Sequence, residues 1–433
     1  MKRLSRPMEG PSSRPGTRLS MGSFRRFIIL ILASLLLAGC GKTIPKDTLV
    51  IWTAFQNEEF KALQAQVEAF QQKSNHKTII LQVPFNSLRQ KILVAGPALQ
   101  GPDVLIGPHD WVGLLQTAGL LAPIPKEVVD PKSGTFYEIC TKAATFDGDI
   151  YLAPMMMECV VLARNTDICP EKPESLDELV EVAVAAKNKG GDIRGFAYEL
   201  DNFYFSWAFM AGHGATFLDP FFNKDFQLDQ LKFDTPEAVA GVNWIADLQR
   251  KHQLVAPGLT NDLAVDFFLN KKLGMMLCGP WNLGAIRQRG INYSLEPLPP
   301  GPKGPSTPFV GVTGAMLSKF SAQKDGTTEL LTYLSSAEIG AQLCQSSGRA
   351  PVRKDTAELL KERVDDPRIA EDLALFSEAA QTGMPLPNNP AMQPVWDYMK
   401  PALELVIKGK ISAEEALKET TETVRTKVRF MME

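Results

Sequence analysis

Residues 48–55, Thr-Leu-Val-Ile-Trp-Thr-Ala-Phe, make an apolar, β-branched run that reads as a buried strand. Residues 58–73 follow with Phe60, Leu63, Val67 and Phe70 at helical spacing, which predicts an amphipathic helix. Residues 78–83 predict a second strand and residues 103–106 a third. Strand, helix and strand joined by short connections constrain the fold class to α/β, with parallel sheets expected and helices on both faces. The alternation continues downstream. Ser175-Leu-Asp-Glu178 is a capping box, in which serine and glutamate each satisfy a free backbone donor. Thr235-Pro236-Glu237 places a cap residue before a proline at the first helical position, with Val239, Val242, Ile245 and Ala246 as the buried stripe. Ser412-Ala-Glu-Glu415 caps the final helix, and the proline-rich residues 297–308 read as a loop or crossover. No internal repeat is visible.

Ahead of the first strand, Phe24-Arg25-Arg26 precedes an apolar run over residues 27–38. A run of about twelve residues suits a signal-peptide core and is too short to cross a bilayer. It ends in Leu37-Ala38-Gly39-Cys40, which resembles the bacterial lipobox. In that signal the cysteine thiol is acylated and the chain is cut before it. Residues 1–40 are then an N-terminal extension and lipoprotein signal peptide, and residues 41–47 a tether. The mature protein is expected in the cell envelope, periplasmic or extracytoplasmic, anchored to the membrane by lipid on Cys40. A plain secretory signal with an incidental cysteine, or a hydrophobic core helix, is the competing reading. Translation from Met1 and from Met21 both fit, since the first twenty residues carry no apolar period.

Cleavage before Cys40 would leave about 390 residues, enough for two domains. The net charge of −3 argues against a nucleic-acid partner, which usually meets a basic face. Cys140, Cys159, Cys169, Cys278 and Cys344 are an odd set at scattered spacing, neither a disulfide framework nor a zinc ligand set, although one or two bridges stay open. His76, His109, His213 and His252 lack metal-ligand spacing, and no nucleophile elbow, phosphate-cradling loop or His-Glu-x-x-His occurs. No metal or cofactor is therefore expected. Carboxylates at glycosidase separation keep one rival open: an exported carbohydrate-active enzyme.

Several local patterns then line up along the chain. They are Leu49-Val-Ile-Trp52, Gly101-Pro-Asp-Val104 with His109-Asp110, Asp147-Gly148 through Tyr151-Leu-Ala-Pro154, and Tyr204-Phe-Ser-Trp207. Next come Phe268-Leu-Asn-Lys-Lys and Leu273-Gly-Met-Met-Leu-Cys-Gly-Pro-Trp281, then Pro308-Phe-Val-Gly-Val312. Tyr333-Leu-Ser-Ser-Ala-Glu338, Gly348-Arg-Ala-Pro-Val352, Asp366-Pro-Arg-Ile-Ala370 and Trp396 close the series. In this order the chain resembles the extracellular solute-binding proteins of ABC importers, most closely the maltose/maltodextrin-binding members. The resemblance implies a type II periplasmic-binding-protein-like fold: two α/β lobes joined by a hinge of several crossings, with ligand in the cleft between them. Lobe 1 would take residues 46–156 and 312–364, and lobe 2 residues 160–310 and 365–433. The implied partners are an oligosaccharide or glucoside ligand and the transmembrane subunits of an ABC permease, with the protein monomeric and not an enzyme. Maltose, maltodextrin, trehalose and glucosylglycerol all remain open as ligands.

A pyranose presents apolar C–H faces and a rim of hydroxyls, so its site wants flat rings and short polar side chains. By resemblance, Tyr204, Trp281 and Trp396 match sugar-stacking positions. From the residues alone, Trp281 follows Gly-Pro after an apolar strand and should project from a turn, while Trp396 lies near a helix start. Each has plain core packing as its competing reading, which is the expected state of Trp52, Trp207 and Trp244. Asp110 and Glu158 are the polar candidates. Glu158 interrupts an apolar stretch at the proposed crossover, so it needs a partner, either sugar hydroxyls or a hinge salt bridge. Gln56 and Asn57, just past the first strand, complete the sugar-binding set. Two departures from the maltodextrin binders stand out: Gly107 replaces a tryptophan, and Trp111 replaces an arginine. Trp111 is expected to offer a substitute ring from a new position.

Overall fold

The computed structural model describes residues 47–432 apart from 223, 224 and 365. Cys40 and the signal region lie outside the described residues. The chain begins β1 (Thr48–Thr53), α1 (Asn57–Lys73), β2 (Lys77–Gln82), α2 (Phe85–Ala95), β3 (Val104–Pro108), α3 (Val112–Thr117) and β4 (Leu121–Ala122). α4 (Glu138–Ala144), the hairpin β5 (Thr145–Phe146) and β6 (Asp149–Ile150), and β7 (Ala153–Glu158) follow. The middle of the chain is β8 (Val161–Asn165), α5 (Leu176–Asn188), β9 (Arg194–Ala197), α6 (Phe203–Gly212), α7 (Pro236–Arg250), α8 (Asn261–Leu269), β10 (Leu273–Cys278), α9 (Leu283–Gln288) and β11 (Tyr293–Glu296). The chain then runs β12 (Phe309–Ser318), α10 (Lys324–Leu334), α11 (Ala337–Ser347), β13 (Ala350–Pro351), α12 (Lys354–Arg363), α13 (Pro367–Thr382), β14 (Met384–Pro385), α14 (Gln393–Ile407) and α15 (Ala413–Met432).

Two sheets organise two lobes. The larger runs β13-β7-β12-β3-β1-β2, with β4 and β14 also on β12, and the smaller runs β11-β8-β10-β9. All ten residues of β12 are buried, as a strand covered on both faces requires. Local signals act where they were expected. Ser175 accepts from the Glu178 amide at 3.2 Å, while the Glu178 carboxylate accepts from the Glu174 amide at 2.8 Å, one residue earlier than a reciprocal box would have it. Thr235 and Ser412 cap α7 and α15.

The sheets are mixed, which corrects the parallel expectation. β1 and β3 are parallel, with Ile51 opposite Val104, but β12 runs antiparallel to both β3 and β7. In the smaller sheet β8 is antiparallel to β10 and β11. The cause is the connectivity. β12 returns from the other lobe, so it enters the larger sheet from the end where β7 leaves, and no local βαβ crossover dictates its direction. The chain passes between sheets at Cys159–Val160, again between β11 and β12, and a third time after β14. α13 packs on β7 and β13 of the larger sheet and on β11 of the smaller, and β14 adds to β12. From Gln393 the chain packs with α6, α7 and α15.

All five cysteines among the described residues are free and buried, so no bridge forms there. Burial pushes the Cys159 thiol up to about 12 and the Cys169 thiol to about 11, which keeps both protonated and inert. No helix among the described residues is long and apolar enough to cross a membrane.

Candidate ligand-binding site

β1 and β3 end side by side, and the candidates start where they stop, as ligands in open α/β sheets do. The pin of this corner is His109, fully buried in a single 3-10 turn after β3. The Val312 amide donates to its Nδ1 at 3.0 Å, so the ring proton sits on Nε2, which donates to the Leu386 carbonyl at 2.9 Å. Burial drives its pKa down to about 4, only partly offset by the bond to the Leu386 carbonyl. A neutral imidazole thus ties β3, β12 and the segment after β14 together, and it fixes where Asp110 points. Burial raises Asp110 to about 6, against the pull of its own backbone amide and of the Arg89 charge.

On the lobe of the smaller sheet, Asn202 caps α6 by accepting from the Tyr204 amide at 3.1 Å, which sets Tyr204 in the first turn. Its half-buried ring stacks on Phe309 with centroids 6.1 Å apart. Burial raises the phenol pKa, and the Asp110 carboxyl raises it further, so the Asp110 carboxyl and the Tyr204 phenol stand within each other's field. Trp396, half-buried in the first turn of α14, lies 5.4 Å from Phe203 and 5.5 Å from Phe309. Tyr204 and Trp396 are therefore mounted on one buried ring, Phe309, at the start of β12.

Trp281 lies in the 3-10 turn straight after β10 and is 43% exposed. Its ring folds back over Gly279, where a Cβ would sit 2.2 Å from it, so only glycine admits this pose. The neighbouring Pro280 carbonyl meets Gly348, whose Cβ would lie 3.2 Å away; Gly348 also holds φ at +73°. Next in sequence, Arg349 donates to Glu59 at 2.7 Å and pairs with Glu158. The partner that Glu158 required is thus a half-buried arginine of the chain itself, the salt-bridge alternative. Gln56 and Asn57 are exposed one turn before Glu59, and Asn57 sits at φ 50°, a strained backbone for a non-glycine residue.

Trp111 needs correcting. Its ring is 4% exposed, lies across Gly107 at the distance of a tight contact, and is covered by Phe85 with centroids 5.3 Å apart. A Cβ at 107 would stand 3.3 Å from the ring, so glycine there leaves the space that Trp111 fills from inside, and Trp111 supplies no free face. Trp52 at 4% and Trp207 at 0% exposure are core, and the half-buried Trp244 packs on Phe209.

The candidates thus gather into two groups. Tyr204 and Trp396 meet on Phe309 with Asp110 acting on Tyr204, while Glu158 and Glu59 share Arg349, Asn57 lies two residues before Glu59, and Trp281 follows Pro280, whose carbonyl meets Gly348 beside Arg349. The adjacent pair Glu158–Cys159 joins them. Sequence reasoning missed Arg349, Phe309, Arg89 and Phe85; of these, Arg349 and Phe309 lay inside quoted motifs, which was the available signal. A separate cavity of about 560 Å³ between the β5–β6 hairpin, Phe221–Phe222 and Asn388–Asn389 contains none of the predicted residues. No cluster able to hold a metal occurs among the described residues.

A family model for bacterial extracellular solute-binding proteins matches residues 65–376. The chain belongs to that family. This solute-binding protein is 28% identical over 385 residues to the maltotriose-binding protein of Pyrococcus abyssi, covering 87% of its own length and 80% of the relative's. It is 26% identical over 423 residues to the galactooligosaccharide-binding protein of Bacillus subtilis, covering 93% of its own length and 96% of the relative's. Its fold superposes with TM-score 0.78 on a cyclo/maltodextrin-binding protein solved with maltotetraose, at 28% identity, covering 90% of this chain and 99% of the other.

Proposed function

We propose that this solute-binding protein captures maltose or a maltodextrin in the cleft between its lobes and hands it, unaltered, to the transmembrane subunits of an ABC permease. The observation that carries the reading is the pairing of ring and acid across the lobes: Tyr204 and Trp396 stand on Phe309, and the Asp110 carboxyl acts on Tyr204. Flat rings suit the C–H faces of a pyranose, and carboxyls suit its hydroxyl rim. The relatives that bind maltotriose and maltodextrin support the same ligand class. The proposed contacts are Asp110, Glu158, Tyr204, Trp281 and Trp396, with Gln56 and Asn57 at the rim. The proposed lobes are residues 46–156 with 312–364, and 160–310 with 365–433, except that α13 lies along the hinge and β14 pairs with β12 of the larger sheet, which moves the last boundary past residue 385.

The mechanism is conformational and involves no covalent step. Contacts made by both lobes at once exist only in the closed form, so ligand shifts the population towards it by its differential affinity. The protein works as a monomer outside the cytoplasm, held to the membrane through lipid on Cys40, an assignment that the arginine–apolar–small–cysteine signal supports.

A galacto-oligosaccharide is the second reading. The Bacillus relative matches along nearly its whole length, and the ring and guanidinium expected at 107 and 111 are both replaced. Titration calorimetry against maltose, maltotriose, trehalose, glucosylglycerol and galactobiose separates these ligands. The proposal expects the tightest binding for a maltooligosaccharide. A galactobiose preference overturns the sugar assigned, and heat from no saccharide overturns the class.

A further inference from the structure

The corner where β3 ends lacks both a ring at 107 and a guanidinium at 111. The first turn of α2 stands beside it. Phe85 and Arg89 are four residues apart, so they share one face of that helix. Phe85 is 52% exposed, and its inner side rests on the buried Trp111 ring at 5.3 Å, which holds it in place while leaving its outer face open. Arg89 Nη1 donates to the Gln393 Oε1 at 2.9 Å. Gln393 is the first residue of α14, three before Trp396, and its Nε2 donates onward to Asp397 at 2.9 Å. The Arg89 charge also acts on Asp110, the residue next to Trp111.

We propose that the start of α2 is a wall of the ligand cleft, with Phe85 as a stacking platform for a glucosyl ring and Arg89 as the forked donor to its hydroxyls, at a corner where Gly107 offers no side chain and Trp111 is buried. This rests on the oligosaccharide reading above. A ring more than half open, backed by a second ring and flanked by a guanidinium and a carboxyl, has the composition of a pyranose subsite. The Arg89–Gln393 bond spans the two lobes at this point, so Arg89 meets both the ligand and the far wall. A planar fork matches two neighbouring hydroxyls, which an ammonium does not.

The test is maltotriose titration calorimetry on the full mature chain and on Phe85→Ala, Arg89→Met, Arg89→Lys, Gln393→Ala and Arg89→Met/Gln393→Ala. Phe85→Ala and Arg89→Met are each expected to weaken binding by about tenfold or more, with Arg89→Lys restoring only part of it. Melting temperatures should stay close to the parent's, because Phe85 lies largely in solvent. The Arg89→Met loss should persist in the Gln393→Ala background. If it vanishes there, Arg89 is only a clasp and its role as a donor is overturned. Affinities within about threefold of the parent in both single variants overturn the wall altogether. A parent protein that takes no saccharide defeats the oligosaccharide reading, and this inference with it.

Discussion

Trp281→Ala is the most informative single change to the proposed site, because its open face is large enough for a sugar and its effects on binding and on folding are read by separate measurements. A tryptophan presents about 250 Å² of surface. With 43% of it exposed, roughly 110 Å² is open to a ligand. A sugar lies against one face and covers about half to all of that area. At about 25 cal/mol per Å² this gives a loss of roughly 1.3–2.7 kcal/mol. The dissociation constant for maltotriose should therefore rise about tenfold to a hundredfold. The covered part of the ring, roughly 140 Å², is lost as well, so stability should also fall, by up to about 3.5 kcal/mol, and is measured apart from affinity. Calorimetry measures the affinity, and a urea titration in the absence of ligand measures the stability. A large fall in stability with unchanged affinity would refute the reasoning, because it would make Trp281 a packing residue rather than a platform.

Gly279→Ala tests the same ring from beneath. A Cβ there would stand 2.2 Å from the indole, so the ring must move and affinity should fall about as far as in Trp281→Ala, read by the same calorimetry. Arg349→Met should cost about 2–4 kcal/mol in a urea titration, since it leaves the Glu59 and Glu158 carboxylates facing each other unpaired; an unchanged midpoint would mean that solvent screens them. Asp110 gives a pH signature. Its pKa rises on folding from 3.8 to about 6, so the folded state holds a proton that the unfolded state releases, and stability from this group is lost as pH climbs through that window. Asp110→Asn should therefore gain melting temperature relative to the parent between about pH 4 and 6 and hold the gain above it. A difference that stays flat across that range would show that Asp110 is not held in a desolvated place.

Much of the frame was legible from local signals. The strand at 48–53, the helix that follows it and the caps at Ser175, Thr235 and Ser412 are settled by residues close in sequence, and these read correctly. Strand direction did not, because β12 enters its sheet from the other lobe and nothing near residue 309 encodes that return. The site divides the same way. Trp281 could be placed from Gly-Pro after an apolar strand, and the demand of Glu158 for a partner from its apolar neighbours. The partner itself, Arg349, lies almost two hundred residues away and no spacing rule points to it. Trp111 misled for a related reason: whether a ring faces outward or inward depends on the space left at Gly107 and on Phe85, which only the packed chain decides.

The central claim, that two lobes close on a saccharide and release it unchanged, is met most directly by small-angle scattering of the mature protein with and without ligand. Saturating maltotriose should reduce the radius of gyration, and chromatography of the same sample should return maltotriose intact. Curves unmoved by every saccharide, with compaction by an unrelated solute, would contradict the claim.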